Sequence, residues 1–282
     1  MAKVAILGVS GMLGSMVYRE FKASGHDVVG TTRRELDASA ATPEQIRAAV
    51  RGCAYVVNCI GVIKPHIRDD NAAEVRQAIE VNALFPHRLA ACDAHVIQIA
   101  TDCVYDGAKG AYSETDPHNA LDVYGKTKSL GEVRADNFTN LRCSIVGFEE
   151  REPKVSLLEW FLSQPQGGAV GGYANHLWNG VTTLAFARLC LGIVDGGSRP
   201  SGLRHVLASG VVSKAAMLRE IAEIFGRPDI EIKPTQAAQA IDRSLATLNP
   251  PGNEKLWRAA GYASVPSVRD MLAELKQYGR RA

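Results

Sequence analysis

A doubly wound parallel α/β sheet followed by a smaller C-terminal region is the fold class this sequence predicts, and three observations predict it. The chain opens on a short apolar run that ends in spaced glycines and passes straight into a helical pattern. Short apolar runs then alternate with amphipathic stretches up to Gly147, as strand, crossover helix and parallel strand would. The 282 residues, 46% hydrophobic, can bury a full core and suit one large α/β unit with an appendage.

Charge and composition narrow the function classes. The formal net charge is +2 with acids and bases mixed along the chain, so neither nucleic acid nor a membrane surface is an expected partner. No apolar run reaches the ~20 residues a spanning helix needs, and the apolar start is broken by Gly8, Gly11 and Gly14, which suits a buried first strand better than a leader. Cys53, Cys59, Cys92, Cys103, Cys143 and Cys190 show no Cys-x-x-Cys and no matching histidine spacing, so reduced thiols in a cytoplasmic protein without a metal site are expected. Gly279-Arg280-Arg281 reads as a frayed, solvated end.

Lys3–Leu7 is the first strand. Gly8-x-x-Gly11-x-x-Gly14 opens a helix that buries Leu13, Met16, Val17 and Phe21 and stops at Gly25. Glycine is needed where a backbone turns sharply and approaches a pyrophosphate at the positive end of a helix dipole. Gly8, Ser10, Gly11, Met12, Leu13 and Gly14 are therefore candidate cofactor contacts. The second strand begins at Asp27 and leads to Arg33-Arg34-Glu35, where an NAD site would carry an acid for the ribose 2′-hydroxyl. A guanidinium there suits the 2′-phosphate of NADP instead, so NADP(H) is expected over NAD(H), with Arg33 on the phosphate and Asp37 near the adenine.

Thr42-Pro43-Glu44-Gln45 combines an N-cap, a proline at the first helical position and a capping-box glutamine, and starts a helix that runs toward Gly52. The run 54–61, Ala-Tyr-Val-Val-Asn-Cys-Ile-Gly, is the third strand. Asn58, Ile60 and Gly61 at its end should face the same crevice, since ligands of open parallel sheets bind beyond the carboxyl ends of strands. After a polar loop over 62–71, a helical pattern runs from Ala72 to Cys92 with Pro86 kinking or restarting it, and Val81, Leu84, Leu89 and Ala90 form its inner stripe.

His95–Ala100 is the fourth strand, and it delivers Thr101-Asp102-Cys103-Val104-Tyr105-Asp106-Gly107 at its carboxyl end. A hydroxyl there can bond a substrate carbonyl and stabilise the charge that develops on it. A loop containing Pro117 leads to the helix of Val123-Tyr124-Gly125-Lys126-Thr127-Lys128, where Tyr124 and Lys128 lie on one face. A phenol with its ordinary pKa of about 10 becomes a usable acid if a neighbouring ammonium draws that value down. Phe138–Gly147 closes the half as another strand, with Ser144 toward the cofactor.

Beyond Gly147 the pattern changes. Glu149-Glu150-Arg151-Glu152, Pro153, the apolar Leu157–Leu162 with Trp160, and glycine-rich stretches at 166–172 and 196–202 read as lid insertions. Helices are expected at Thr182–Val194 and Lys214–Phe225, and a smaller substrate domain from about Gly196. Residues 1–150 are thus expected to be the NADP-binding domain, with helix 182–195 packing against it, and 151–282 mainly the substrate-binding domain.

Gly8-x-Ser10-Gly11-x-x-Gly14, Thr101-Asp102-x-Val104-Tyr105-Asp106-Gly107 and Tyr124-Gly125-Lys126-Thr127-Lys128, in this order, resemble the extended short-chain dehydrogenase/reductase family and, within it, the dTDP-4-dehydrorhamnose reductase branch. Glu80-Val81-Asn82-Ala83, the segment 179–185 and Asp242-Arg243-Ser244-Leu245 extend the likeness over nearly the whole chain. The resemblance implies a Rossmann fold and hydride transfer between a nicotinamide and C4 of a nucleotide-linked 6-deoxy sugar, a step in making cell-surface polysaccharide precursors. By the family pattern Thr101 holds the carbonyl oxygen, Tyr124 supplies the proton, and Lys128 lowers the tyrosine pKa and bonds the nicotinamide ribose. Asp102, Cys103, Val104, Trp178 and Asn179 would then contact the sugar.

Two departures from the branch fall near that sugar: Cys103 stands where a tyrosine is usual, and Arg142-Cys143-Ser144-Ile145 where an Arg-Thr-Ser-Trp type of strand end is usual. With Lys64-Pro65-His66, Trp160 and His176 also placed to shape a pocket, the substrate is either dTDP-4-dehydrorhamnose or a UDP-2-acetamido-4-keto-6-deoxy-hexose. An epimerase or dehydratase on the same scaffold is an alternative, although Asp102-Cys103 lacks the Asp-Glu pair of a dehydratase. So is a non-catalytic NADP-binding regulatory subunit like that of methionine adenosyltransferase. The sequence leaves open whether the Ala72–Cys92 helix pairs with a second copy in a homodimer.

Overall fold

Alternate side chains of the first strand, β1 (Lys3–Leu7), are buried on opposite faces: Val4 and Ile6 join one core, Ala5 and Leu7 the other. A strand apolar on both sides needs a helical layer on each. The computed structural model, which describes residues 1–280, supplies both layers. After β1 come α1 (Met12–Ala23), β2 (Asp27–Thr31), α2 (Pro43–Ala49), β3 (Tyr55–Asn58), α3 (Ala72–Ala78), α4 (Phe85–Leu89), β4 (His95–Ala100), α5 (Val123–Leu130) and β5 (Phe138–Arg142). The second half runs β6 (Ile145–Val146), α6 (Leu157–Leu162), β7 (Ala169–Tyr173), β8 (His176–Trp178), β9 (Val181–Thr182), α7 (Thr183–Asp195), β10 (Gly202–His205), β11 (Val212–Ser213), α8 (Lys214–Phe225), β12 (Glu231–Thr235), β13 (Ile241–Asp242), α9 (Pro250–Ala259) and α10 (Val268–Tyr278).

The central sheet has six strands in the order β10-β5-β4-β3-β1-β2, every neighbouring pair parallel. This is the doubly wound parallel sheet expected from the sequence. Val4, Ile6 and Ile97 pack against Phe21 of α1 and Phe186 of α7 on one face. Ala5, Val56, Val96 and Phe138 pack against Ile46 of α2, and Phe85 and Leu89 of α4, on the other.

Local sequence explains most element ends. Thr42 and Gln45 form the capping box of α2, the Thr182 side chain caps α7, and Gly226 closes α8 in the left-handed region at φ 73°. Pro86 restarts a helix, standing in the first turn of α4. Between α3 and α4 the backbone widens into a π-helical stretch, Ile79–Leu84. That stretch overturns one expectation: Leu84 is 41% exposed, because a π turn breaks the 3.6-residue phase that would have aimed it inward.

The C-terminal half also returns one strand to the main sheet. Gly202–His205, expected at the edge of a lid insertion, is the sixth strand of the main sheet. One continuous core runs from Val4 through Trp257 to Leu275. The single apolar residue of β10, Leu203, gives an edge strand no periodic signal, since its partner supplies the hydrogen bonds and only one face is covered. Set apart from the main sheet are the three-stranded sheet β11-β8-β13 and the pair β12-β7. Three helices were not anticipated, yet each carries a cap legible in hindsight: Ser156 for α6, Asn249 before Pro250 for α9, and the Ser267/Asp270 capping box for α10.

Arg280 is not a frayed end. It pairs with Glu159 at 2.8 Å and stacks 4.6 Å over Phe148, while Arg281 lies outside the described residues. Among the described residues no helix is long and apolar enough to cross a membrane.

The shared core makes a measurable prediction. Trp257, fully buried on α9, bonds Leu207 O through its indole N–H. Trp257→Ala should cost about 3–5 kcal/mol. Urea unfolding should remain a single transition by both tryptophan fluorescence and far-UV circular dichroism. Two separated transitions would show that the C-terminal helices fold as their own unit.

Candidate active site

The glycine turn is built by close approach. Gly8 has φ +83°, and its carbonyl accepts the Gly11 N–H at 3.0 Å. A Cβ on Gly14 would sit 2.0 Å from that same oxygen, so the third glycine lets α1 lie against the turn. Gly11 is the N-cap of α1 with no side-chain cap, leaving the first N–H groups of the helix directed outward. Beside the turn lies a cleft of about 210 Å³ lined by Gly8, Ser10, Gly11, Arg33, Leu36, Asp37, Ala38, Cys59, Ile60, Gly61, Val62, Gln77 and Val81. Besides Arg33 and Asp37, five of the ten other expected cofactor residues are on its wall and five are not.

Gly8, Ser10, Gly11, Ile60 and Gly61 line the cleft directly. Met12 lines a neighbouring cavity with His66 and the 149–153 loop. Leu13 is core, 5% exposed. Asn58 is also buried: it donates to Gln98 Oε1 and accepts from the Ile60 N–H, shaping the loop and not the cleft wall. The half-buried Ser144 accepts the Val181 N–H on its carbonyl, joining the end of β5 to β9.

No carboxylate stands directly at the end of β2, where Thr31 and Thr32 are; the first acids are Glu35 and Asp37. Glu35 turns back to accept from Thr32 N and Oγ1, which together with Arg34 hold its pKa below the usual range. Asp37 is committed to the Ser39 hydroxyl and N–H. Arg33, its side chain 68% exposed, keeps a weak 3.3 Å contact to Asp37 and otherwise faces the cleft.

Across the sheet edge, β4 ends at Ala100 and hands Thr101 to a 3-10 turn, Asp102–Val104. The Thr101 hydroxyl accepts the Cys103 N–H at 3.2 Å, donates toward Asp102 Oδ1 at 3.2 Å, and faces the Tyr124 phenol. Asp122 caps α5 by accepting from Gly125 N, which fixes how Tyr124 and Lys128 are presented. Gly125 is required there, because a Cβ would come within 2.4 Å of the Cys103 carbonyl. Thr101 and Tyr124 are thus brought together by tight packing of α5 on the turn after β4.

The electrostatics correct the expectation that Lys128 would lower the tyrosine pKa. Burial raises the Tyr124 phenol above its ordinary value, the Cys103 thiol beside it raises it further, and only the Thr101 hydroxyl pulls the other way. The Lys128 ammonium is directed at the Ile99 carbonyl, 3.0 Å away, and burial lowers its own pKa to about 8. Burial also lifts the Asp102 carboxyl, against Arg243 and Lys214, and holds Cys103 at about 12, a neutral thiol. Desolvation outweighs pairing at these four groups, whereas at Asp122 partial burial is overcome by the Gly125 N–H and Lys64, which hold its carboxyl below the usual range.

The residues expected on the sugar divide. Asp102 and Cys103 stand at the phenol. Val104 is fully buried against Tyr105, Tyr112 and Leu245, and Trp178 is 6% exposed in the main core. Asn179 spends both amide functions on the backbone of Leu245, so it holds the 242–247 segment in place. The sequence reading missed Lys214 and, as a site residue, Arg243, whose charges bear on Asp102 and Cys103; Arg243 also donates to the Tyr105 carbonyl at 2.8 Å. A lysine at a helix start carries no local signal of what it faces. Among the described residues no group of His, Cys, Asp and Glu is placed to hold a metal ion.

Residues 2–276 match the model of the family described as RmlD substrate binding domain. The chain belongs to that family. It is the dTDP-4-dehydrorhamnose reductase-like branch of the extended short-chain dehydrogenases/reductases, as the motifs implied. Among its curated relatives, the methionine adenosyltransferase 2 subunit beta of Danio rerio is 25% identical over 82% of this chain and 76% of its own. The dTDP-4-dehydrorhamnose reductase of Mycolicibacterium smegmatis is 26% identical over 82% of this chain and 72% of its own. The structure of dTDP-4-dehydrorhamnose reductase from Bacillus anthracis in complex with NADP superposes with a TM-score of 0.79 at 17% identity, covering 99% of this chain and 100% of that one.

The glycines separate by experiment. Gly14→Ala should lower stability by about 1–3 kcal/mol in urea unfolding, since α1 must retreat from the turn. Gly11→Ala, whose Cβ would lie no nearer than 3.5 Å to Gly8 O, should stay within about 1 kcal/mol of the wild type. Equal losses in both would contradict the close-approach account.

Proposed function

We propose that this protein reduces the 4-keto group of a nucleotide-linked 6-deoxy sugar with NADPH, in the cytoplasm, the sugar being dTDP-4-dehydrorhamnose or a UDP-2-acetamido-4-keto-6-deoxy-hexose. The observation that carries the reading is the tight packing of the Tyr124 helix on the turn that holds Thr101, at the same carboxyl edge of the sheet as the glycine turn. The bound nicotinamide would supply the hydride, its pyrophosphate lying at Gly8, Ser10 and Gly11. Thr101 holds the ketone oxygen, and Tyr124, kept protonated by burial, gives that oxygen its proton. Reduction needs the phenol in this protonated form. Proton transfer and the oxygen's hydrogen bond each contribute a few kcal/mol of barrier lowering, on the order of 10²–10⁴ in rate.

Arg33 on the cleft wall, with Glu35 and Asp37 turned to Thr32 and Ser39, supports NADP over NAD. Lys214 and Arg243 add positive charge on the substrate side, where a sugar nucleotide carries its diphosphate. The similarity to a methionine adenosyltransferase subunit beta favours a second reading, an NADP-holding subunit without turnover. Catalysis separates the two.

Under this reading NADPH absorbance should fall only when a 4-keto sugar nucleotide is added. Tyr124→Phe should cut kcat by about 10²–10⁴-fold and leave the NADPH Kd unchanged; equal turnover would remove the acid role. Lys128 would bond the nicotinamide ribose through its ammonium, charged below its pKa of about 8 and neutral above it, so kcat/KM should fall as pH rises through about 8. Lys128→Arg should move that fall upward. A wild-type profile flat to pH 9.5 would exclude the lysine. Arg33→Ala should weaken NADPH about tenfold while leaving NADH alone, one lost phosphate contact being worth roughly 1–2 kcal/mol.

A further inference from the structure

The two halves of the proposed acid pair sit on different elements. Thr101 follows β4, whereas Tyr124 and Lys128 ride on α5. Between the continuations of those elements lies Arg142, the last residue of β5, completely buried. Its guanidinium has five N–H donors, and every one meets an acceptor. Nε and one terminal nitrogen bond the two Glu132 oxygens at 2.9 and 2.5 Å. The other N–H groups reach Tyr105 Oη at 2.5 Å, His205 Nε2 at 2.9 Å and His118 Nε2 at 2.6 Å.

The partners settle the proton positions. Each histidine must accept at Nε2 and so carries its proton on Nδ1, which His118 donates to Ser129 Oγ and His205 to the Ala246 carbonyl. Tyr105 accepts from Arg142 and donates to the Ser113 carbonyl at 2.9 Å. Burial and the guanidinium lower both histidine pKa values, consistent with neutral rings.

Glu132 lies just past the C-terminus of α5, and Tyr105 just past the turn that starts at Thr101. We propose that Arg142 is a positioning residue that locks the Thr101 turn to the Tyr124 helix, joining Tyr105 on one side to Glu132 on the other. The role in catalysis rests on the reductase reading; the mechanical coupling does not. A fork of five rigid donors can clamp both segments at once, and a point charge could not. Phenol and hydroxyl need their separation held to within about 0.5 Å to share one ketone oxygen.

The test is Tyr105→Phe, which removes the acceptor and keeps the ring stacked 4.1 Å from Tyr112. Hydrogen–deuterium exchange over 101–104 should quicken at least tenfold, where Cys103 N–H bonds Thr101 Oγ1, with β1 and β3 unchanged. With a 4-keto sugar nucleotide, kcat should fall 10- to 100-fold at an unchanged NADPH Kd. Unchanged exchange and kcat overturn the proposal, as does a lower melting temperature with full kcat per folded molecule. If wild type turns over no sugar of a dTDP and UDP panel while the local exchange effect is present, the reductase reading fails and the coupling stands. Should Tyr105→Phe not fold, Glu132→Gln, which keeps shape and one acceptor, takes the same two readouts.

Discussion

Parallel strands all end at one edge of the sheet, and every candidate group of this protein depends on that constraint. The turn of Gly8 follows β1, Arg33 comes shortly after β2, Cys59 to Gly61 follow β3, Thr101 follows β4 and Cys143 follows β5. Helices on both faces close off every other approach to the strands' backbone. A ligand can therefore meet five chain segments at once only at this edge. The closeness of α1 to the turn, with Gly14 against the Gly8 carbonyl, places the positive helix terminus within that same crevice.

Dryness governs the chemistry of the crevice. Tyr124, Cys103 and Asp102 are all pushed toward their neutral forms, and Lys128 loses much of the basicity of an exposed amine. In water an ammonium one helical turn from a phenol would stabilise the phenolate. Here the ammonium spends its hydrogen bond on the Ile99 carbonyl, and the cost of burying charge dominates. Under the proposed reduction, this protonated phenol beside a neutral thiol would be the donor to an oxygen that becomes more basic as it receives hydride.

The wall beside the Thr101 turn is assembled from distant sequence. Asn179 brackets Leu245, Tyr112 bridges to Leu245, and Arg243 bonds the Tyr105 carbonyl, so residues 105–112, 179 and 242–247 form one wall. The buried Arg142–Glu132 pair lies behind it. Buried ion pairs often fail to repay their desolvation. This one has every guanidinium donor satisfied, the condition under which such a pair specifies geometry instead of weakening the fold.

Short-range signals in the chain determined the nucleotide half: the glycine spacing, the capping box at Thr42, the alternation of apolar runs, and the motif order that placed Thr101 with Tyr124. Each is a local preference, and local preferences survive folding when the core agrees with them. Tertiary structure alone decided that β10 completes the main sheet, that Trp178 and Val104 are core, and that Arg142 gathers Glu132, Tyr105 and two histidines. It also decided the direction of the tyrosine pKa, because burial is a property of everything packed around a side chain and a four-residue spacing records only one neighbour.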